Sequence, residues 1–205
     1  AVITIPVVFH VVYNVAAENV SDARLLEQLE VLNDDFRRLN SDVGETPAYF
    51  LAEAADTEIQ FCLATTDPSG NATTGITRTS TTKTSFSTGD DMKFATYGKT
   101  IWDRNKYLNL WVCDLSGGLL GYAQFPGGSA STDGVVIDYQ YIGVTGAAAP
   151  YNLGRTATHE VGHWLNLFHI WGDDGTSCAG SDSVGDTPNQ ADENYGCPNG
   201  AIRIS

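Results

Sequence analysis

The opening stretch AVITIPVVFHVVYNV limits the possible folds of this chain more than any other feature. Successive side chains of a strand point to opposite faces. Here both faces are apolar, with Ile3, Ile5, Val7 and Phe9 on one and Val2, Val8 and Val12 on the other. Such a strand must be covered on both sides, which calls for a mostly parallel sheet inside a layered fold. Pro6, His10 and Asn14 interrupt the run and no basic segment precedes it, so it reads as structure and not as a signal sequence. The chain is accordingly expected to start at a mature or trimmed terminus, and His10 to be a hydrogen-bonded core histidine.

The segments that follow alternate in period. SDARLLEQLEVLNDDFRRLNSD (21–42) places Leu25, Leu29, Leu32 and Phe36 at helical spacing behind Ser21 or Asp22 as N-cap. TEIQFCLA (57–64), YLNLWVCDL (107–115) and GVVIDY (134–139) read as strands, and GYAQF (121–125), bounded by glycines and Pro126, as a short edge strand. The Thr/Ser-rich stretch 73–89 is expected to be a surface loop, 90–104 to be helical, and a further helix to run from about Leu153 to Leu165. Strands interleaved with helices give an α/β sandwich.

Composition excludes several function classes. With 25 acidic against 11 basic residues and a net charge of −14, the chain is unsuited to nucleic acid or to an anionic membrane surface. No apolar run approaches a bilayer span. Of four cysteines, Cys178 and Cys197 bracket a loop where a bridge would remove much chain entropy, which suits an oxidising compartment. Cys62 and Cys113 sit in apolar runs, where free thiols and a disulfide are equally compatible with the sequence. Asn19 and Asn71 stand in glycosylation sequons.

The chemistry concentrates in HEVGHWLNLFH, residues 159–169. A four-residue helical step turns about 400°, so His159 and His163 stand one above the other and can meet one zinc ion at about 2.0–2.1 Å. Glu160 follows the first histidine and lies close enough to hold a water at such a metal and act as general base. Six more residues of helix would turn about 600° and aim His169 away. The chain must therefore leave the helix sharply between His163 and His169. Asn166 stands at that break, and asparagine is second only to glycine in tolerating positive φ.

HEVGHWLNLFH resembles the extended zinc signature of the metzincin metalloproteases, HExxHxxGxxH, with Asn166 in the glycine position. GRTATHEVGHWLNLFHIWGD, GYAQFPGG, DGVVIDY and SDSVGDTPNQ…NYGCP are similar to the pappalysin family within that group, and IPVVFHVVYN and YLNLWVCDL agree. The resemblance implies a secreted zinc endopeptidase with zinc ligands His159, His163 and His169 and catalytic Glu160. It also implies a metzincin-like fold: a five-stranded, mostly parallel twisted sheet with an antiparallel edge strand, an active-site helix, and a short irregular C-terminal lobe. Residues 1–169 would form the N-terminal subdomain and 170–205 an apparently truncated C-terminal one, in a single catalytic domain expected to be monomeric.

Two further expectations follow from the same likeness. The edge strand Gly121, Tyr122, Ala123, Gln124 and Phe125 would bind an extended polypeptide substrate by strand addition. Asp182, Asp186 and Thr187, with the Val184 carbonyl, would hold calcium in an acidic, oxygen-rich loop, the alternative being a solvated acidic surface. One departure stands out. Met92 precedes the histidines, so it cannot form the methionine turn of the family. A protease-shaped zinc- and calcium-stabilised binding module without turnover is therefore the rival reading. The intact Glu160 and the lack of a cysteine near the motif oppose it.

Overall fold

The structure is a computed structural model that describes residues 1–175 and 178–193. The chain divides into two compact units, Ala1–Trp164 and Leu165–Ser205.

The first unit is built on β1 (Ile3–Tyr13), whose residues Val7 to Val12 are all buried. On one side it pairs in parallel with β4 (Leu108–Cys113), through residues 7–11. Its other side is shared. β2 (Ile59–Leu63) pairs with residues 3–7, and β3 (Ile76–Ser80) with residues 9–13, both in parallel. β6 (Val135–Asp138) adds in parallel to β4, and β5 (Gly121–Ala123) closes the sheet as an antiparallel edge, giving the order β2-β1-β4-β6-β5. The sheet is mostly parallel with one antiparallel edge, as the sequence implied.

β3 falls inside the stretch 73–89 that the sequence assigns to a loop. ITRTS is polar at every residue after the first, but its β-branched residues favour extended backbone, and the upper half of β1 leaves an edge for it to occupy. Because β2 and β3 share one side of β1, the sheet is five strands wide along its main path and has six strands in all.

One face of the sheet carries α1 (Asp22–Phe36) and α2 (Arg155–Trp164). Ser21 caps α1 by accepting the Arg24 N–H, and Phe36 meets Phe61 of β2 edge-on at 5.1 Å. The buried stripe of α1 includes Gln28 alongside Leu25, Leu32 and Phe36. Gln28 accepts from the Gly143 N–H at 2.9 Å and donates to the Gly154 carbonyl at 2.9 Å, so it anchors the approach to α2.

The opposite face is covered by irregular chain. Val12, Trp111 and Val136 pack there with Met92, Phe86 and Leu115, and Val8 packs with Trp102. The helix expected over 90–104 does not form; only Asp91–Lys93 makes a single 3-10 turn. Met92 is drawn into the core, and the Lys99 N–H returns to the Met92 carbonyl at 3.0 Å, folding the segment back on itself. Gly98 permits this, since a Cβ there would overlap that carbonyl. Burial of Met92 and Trp102 against the sheet outweighs local helical preference.

His10 is the core histidine expected. It is fully buried, Nδ1 lies 2.7 Å from Thr77 Oγ1, and Nε2 lies 3.0 Å from Asn109 Oδ1. Its ring packs between Trp102 and Trp111, on the face away from the helices. Cys62 and Cys178 are exposed and Cys113 is buried, all three as free thiols. The bridge expected between Cys178 and Cys197 is therefore not formed at Cys178; Cys197 lies outside the described residues.

Candidate metal centre

α2 is held at its first turn by charge. Arg155 Nε lies 2.9 Å from Asp35 of α1, and another nitrogen of its guanidinium lies 2.8 Å from Asp42. Thr158 adds a 2.6 Å hydrogen bond to the same Asp35 carboxylate, whose side chain is only 8% exposed. Burial pushes the Asp35 carboxyl above the usual carboxylate range, while Thr158 and Arg155 pull it back. These two anchors, four residues and one residue before His159, set the rotation of the helix about its axis.

That rotation turns Ala157, Glu160 and Val161 inward and leaves His159 exposed and His163 half-buried. The Nε2 atoms of His159 and His163 are 2.9 Å apart. Beyond the helix, Asn166 adopts φ 77°, the left-handed conformation that a sharp helix stop requires. The result is local convergence: one ligand nitrogen from each of His159, His163 and His169 lies within 4.8 Å of the others. Nitrogens bound to one tetrahedral zinc ion at about 2.0–2.1 Å stand roughly 3.3 Å apart, so this set of donors fits zinc. Three imidazoles with no thiolate are the donors of an open, catalytic type of site. His169 Nδ1 is also 2.9 Å from an oxygen of Asp173, the hydrogen-bonded carboxylate that commonly orients a metal-binding histidine.

Glu160 is buried, and loss of solvent pushes its carboxyl up to about 7. It lies against the edge strand, where a Cβ on Gly121 would be 3.1 Å from Glu160 Cγ. The Phe125 ring, just beyond β5, sits 5.1 Å from the His163 ring.

The Peptidase_M43 family, described as Pregnancy-associated plasma protein-A, matches residues 91–203, just over half of the chain and inclusive of the histidine segment. The chain belongs to this pappalysin family.

Relatives agree with that placement. Mature mirolysin of Tannerella forsythia, solved in complex with a cleaved peptide, is 54% identical and superposes with a TM-score of 0.95 over 97% of this chain and 76% of that one. An extracellular metalloprotease of Verticillium alfalfae is 36% identical over 98% of this chain, and one of Arthroderma otae 31% identical over 96%. The chain spans 62% and 63% of the length of those two curated relatives.

Within this pappalysin chain, the residues singled out by sequence occupy different settings. Tyr122 and Ala123 lie on β5, half-buried, with Gln124 just beyond; Gly121 is buried against Glu160. Gln124 is occupied in its own loop, donating to the Ser129 carbonyl and accepting from Thr132. In the second unit, Asp182 is buried and accepts the Val184 N–H at 3.0 Å, while the Thr187 N–H reaches the Val184 carbonyl at 3.3 Å. The sequence gave no sign of the Asp173 contact with His169, and it placed Gly121 on the substrate strand without indicating its contact with Glu160. An acid four residues after His169 is too common to single out, and the approach of a strand glycine to a helix glutamate depends on the fold.

Proposed function

We propose that the chain is the catalytic part of a secreted zinc endopeptidase, with His159, His163 and His169 as zinc ligands and Glu160 as general base. The observation that carries this reading is the convergence of three imidazole nitrogens beside a buried glutamate. Zinc bound there supplies a Lewis acid, which polarises a peptide carbonyl and lowers the pKa of water. Glu160 accepts the proton of the attacking water on its carboxylate and passes it to the departing amine. Its placement against Gly121 keeps that carboxylate under the edge strand rather than in solvent.

β5 has a sheet neighbour, β6, on one side. The other side offers backbone donors and acceptors to an extended polypeptide, which strand addition would align along residues 121–125 above α2. Zinc, secretion and a polypeptide substrate are supported by the family, by the extracellular relatives, and by the cleaved peptide held by mirolysin. Among the described residues, no helix is long and apolar enough to cross a membrane. A calcium ion at Asp182, Val184, Asp186 and Thr187 completes the proposal as a stabiliser of the C-terminal lobe.

The test is hydrolysis of an unfolded protein by the chain and by Glu160→Gln, with zinc content measured in both. The expected result is one zinc in each and a rate lower by about 10²–10⁴ in the variant, with chelation abolishing the wild-type rate. Zinc bound with no turnover in either protein would favour the rival reading of a binding module.

A further inference from the structure

The loop that joins β5 to β6, residues 124–134, is fixed at three points, and two of them fall on consecutive residues of α2. Phe125 places its ring on His163, at 5.1 Å between centroids and 44° between planes. Asp133 accepts a 2.8 Å hydrogen bond from Trp164 Nε1, and its second oxygen lies 3.6 Å from Arg104. One residue earlier, the Thr132 carbonyl accepts a 2.7 Å bond from Lys93 Nζ, whose side chain is completely buried beneath the sheet. The loop is thus tied to the core on one side and to the end of the histidine helix on the other.

We propose that Asp133 is a positioning residue for the metal centre. By holding Trp164 it fixes the last turn of α2, and with it the direction of His163. The inference rests on reading the three histidines as a zinc site. The last turn of a helix has carbonyls without intrahelical partners and is the part most prone to fray. In this chain the turn ends at Trp164, immediately after a ligand, and the backbone reverses two residues later at Asn166. A ligand so close to a helix end needs an outside constraint. The Asp133 side chain is only 15% exposed, so its bond to the indole is shielded from competing water. The same tether keeps the tilted Phe125 ring against His163, which limits the rotamers that imidazole can take.

The test is zinc affinity of the full chain, read by competition with a chromogenic chelator, alongside the thermal midpoint. Asp133→Ala and Trp164→Phe are each expected to weaken zinc binding by about tenfold, the scale of lost outer-sphere support. The double variant should be no weaker than either single one, because both remove the same bond. Asp133→Asn, which keeps an acceptor for the indole, should restore affinity to within about twofold of wild type. A merely structural role would lower the thermal midpoint and leave the affinity of the folded protein unmoved, and that result would overturn the proposal. So would Asp133→Asn weakening zinc as much as Asp133→Ala, which would transfer the effect to the ion pair with Arg104. If Asp133→Ala does not fold, Trp164→Phe, which preserves most of the ring, decides. A wild-type chain that takes up no zinc would instead bring down the metalloprotease reading itself, and this inference with it.

Discussion

Gly121 on the edge strand and Glu160 on the helix touch through the absence of a side chain. A Cβ at position 121 would stand 3.1 Å from Glu160 Cγ, 2.9 Å from Ile137 Cδ1 and 2.9 Å from the Val136 carbonyl oxygen. The β6 backbone cannot move without disturbing the sheet, so the side chains of Ile137 and Glu160 and the strand at position 121 would have to yield, and the carboxylate would shift with them. Gly121→Ala is therefore expected to lower kcat by about tenfold or more while zinc stoichiometry stays at one, since a misplacement on the order of 1 Å can cost about 10² in rate. Steady-state kinetics with metal analysis checks this; unchanged turnover would show that Glu160 has room to spare.

Asn166 stands at φ 77° two residues past the helix. Glycine adopts this conformation without strain, whereas a β-branched residue pays for a Cβ placed against the carbonyl. Asn166→Gly should leave stability and zinc affinity close to wild type. Asn166→Val should cost about 1–2 kcal/mol and weaken zinc, because relaxing φ swings His169 away from the other two rings. Denaturant unfolding and chelator competition on both variants measure it. Equal behaviour of the two would refute the role given to the turn.

His10 links stability to pH. Burial is the main cause that lowers its pKa from 6.5 to about 4; the Asn109 hydrogen bond opposes the shift, and Lys99 adds to it. Between these values the unfolded chain binds a proton that the folded chain refuses. Stability from this residue is thus fully present above about pH 6.5 and is lost as pH falls towards 4, by about 3 kcal/mol in total at about 1.36 kcal/mol per unit. Urea unfolding from pH 7 to 4 should show a steeper loss in the wild type than in His10→Gln, which carries no titrating group. Parallel curves would rule the linkage out.

Lys93 donates to Asp90 and to the Thr132 carbonyl, and its ammonium lies 5.0 Å from the centre of the Tyr122 ring and 5.3 Å from that of Trp111. Burial lowers its pKa, and Asp90 opposes the shift. Lys93→Met keeps the stem but strands Asp90, so a loss of about 3 kcal/mol is expected, on the scale of breaking a buried pair. Adding Asp90→Asn should recover part of it. Thermal or urea unfolding of the three variants checks the coupling, and a strictly additive double variant would argue against it.

Much of the molecule follows from the order of its residues. A strand with apolar side chains on both faces must be buried on both faces, and β1 is. Two histidines four apart share a helix face, because the helical period is set by covalent geometry. A third, ten residues after the first, can join them only if the backbone reverses, and Asn166 supplies a residue able to do so. These are local rules, and they hold wherever the segment is placed.

Other features depend on partners distant in sequence. The stretch 76–80 is polar enough to pass for a loop, and it becomes a strand because β1 offers an unfilled edge. Residues 90–104 have helical spacing, yet the sheet draws Met92 and Trp102 inward and no helix remains. The contacts of Gln28, Gly121 and Asp133 bear no mark in the linear text, since each depends on a neighbour that folding delivers: Gly154, Glu160 and Trp164. The chemical identity of the site was written in periodicity, which is short-ranged. Its precision came from packing and buried hydrogen bonds, which exist only once the chain is folded.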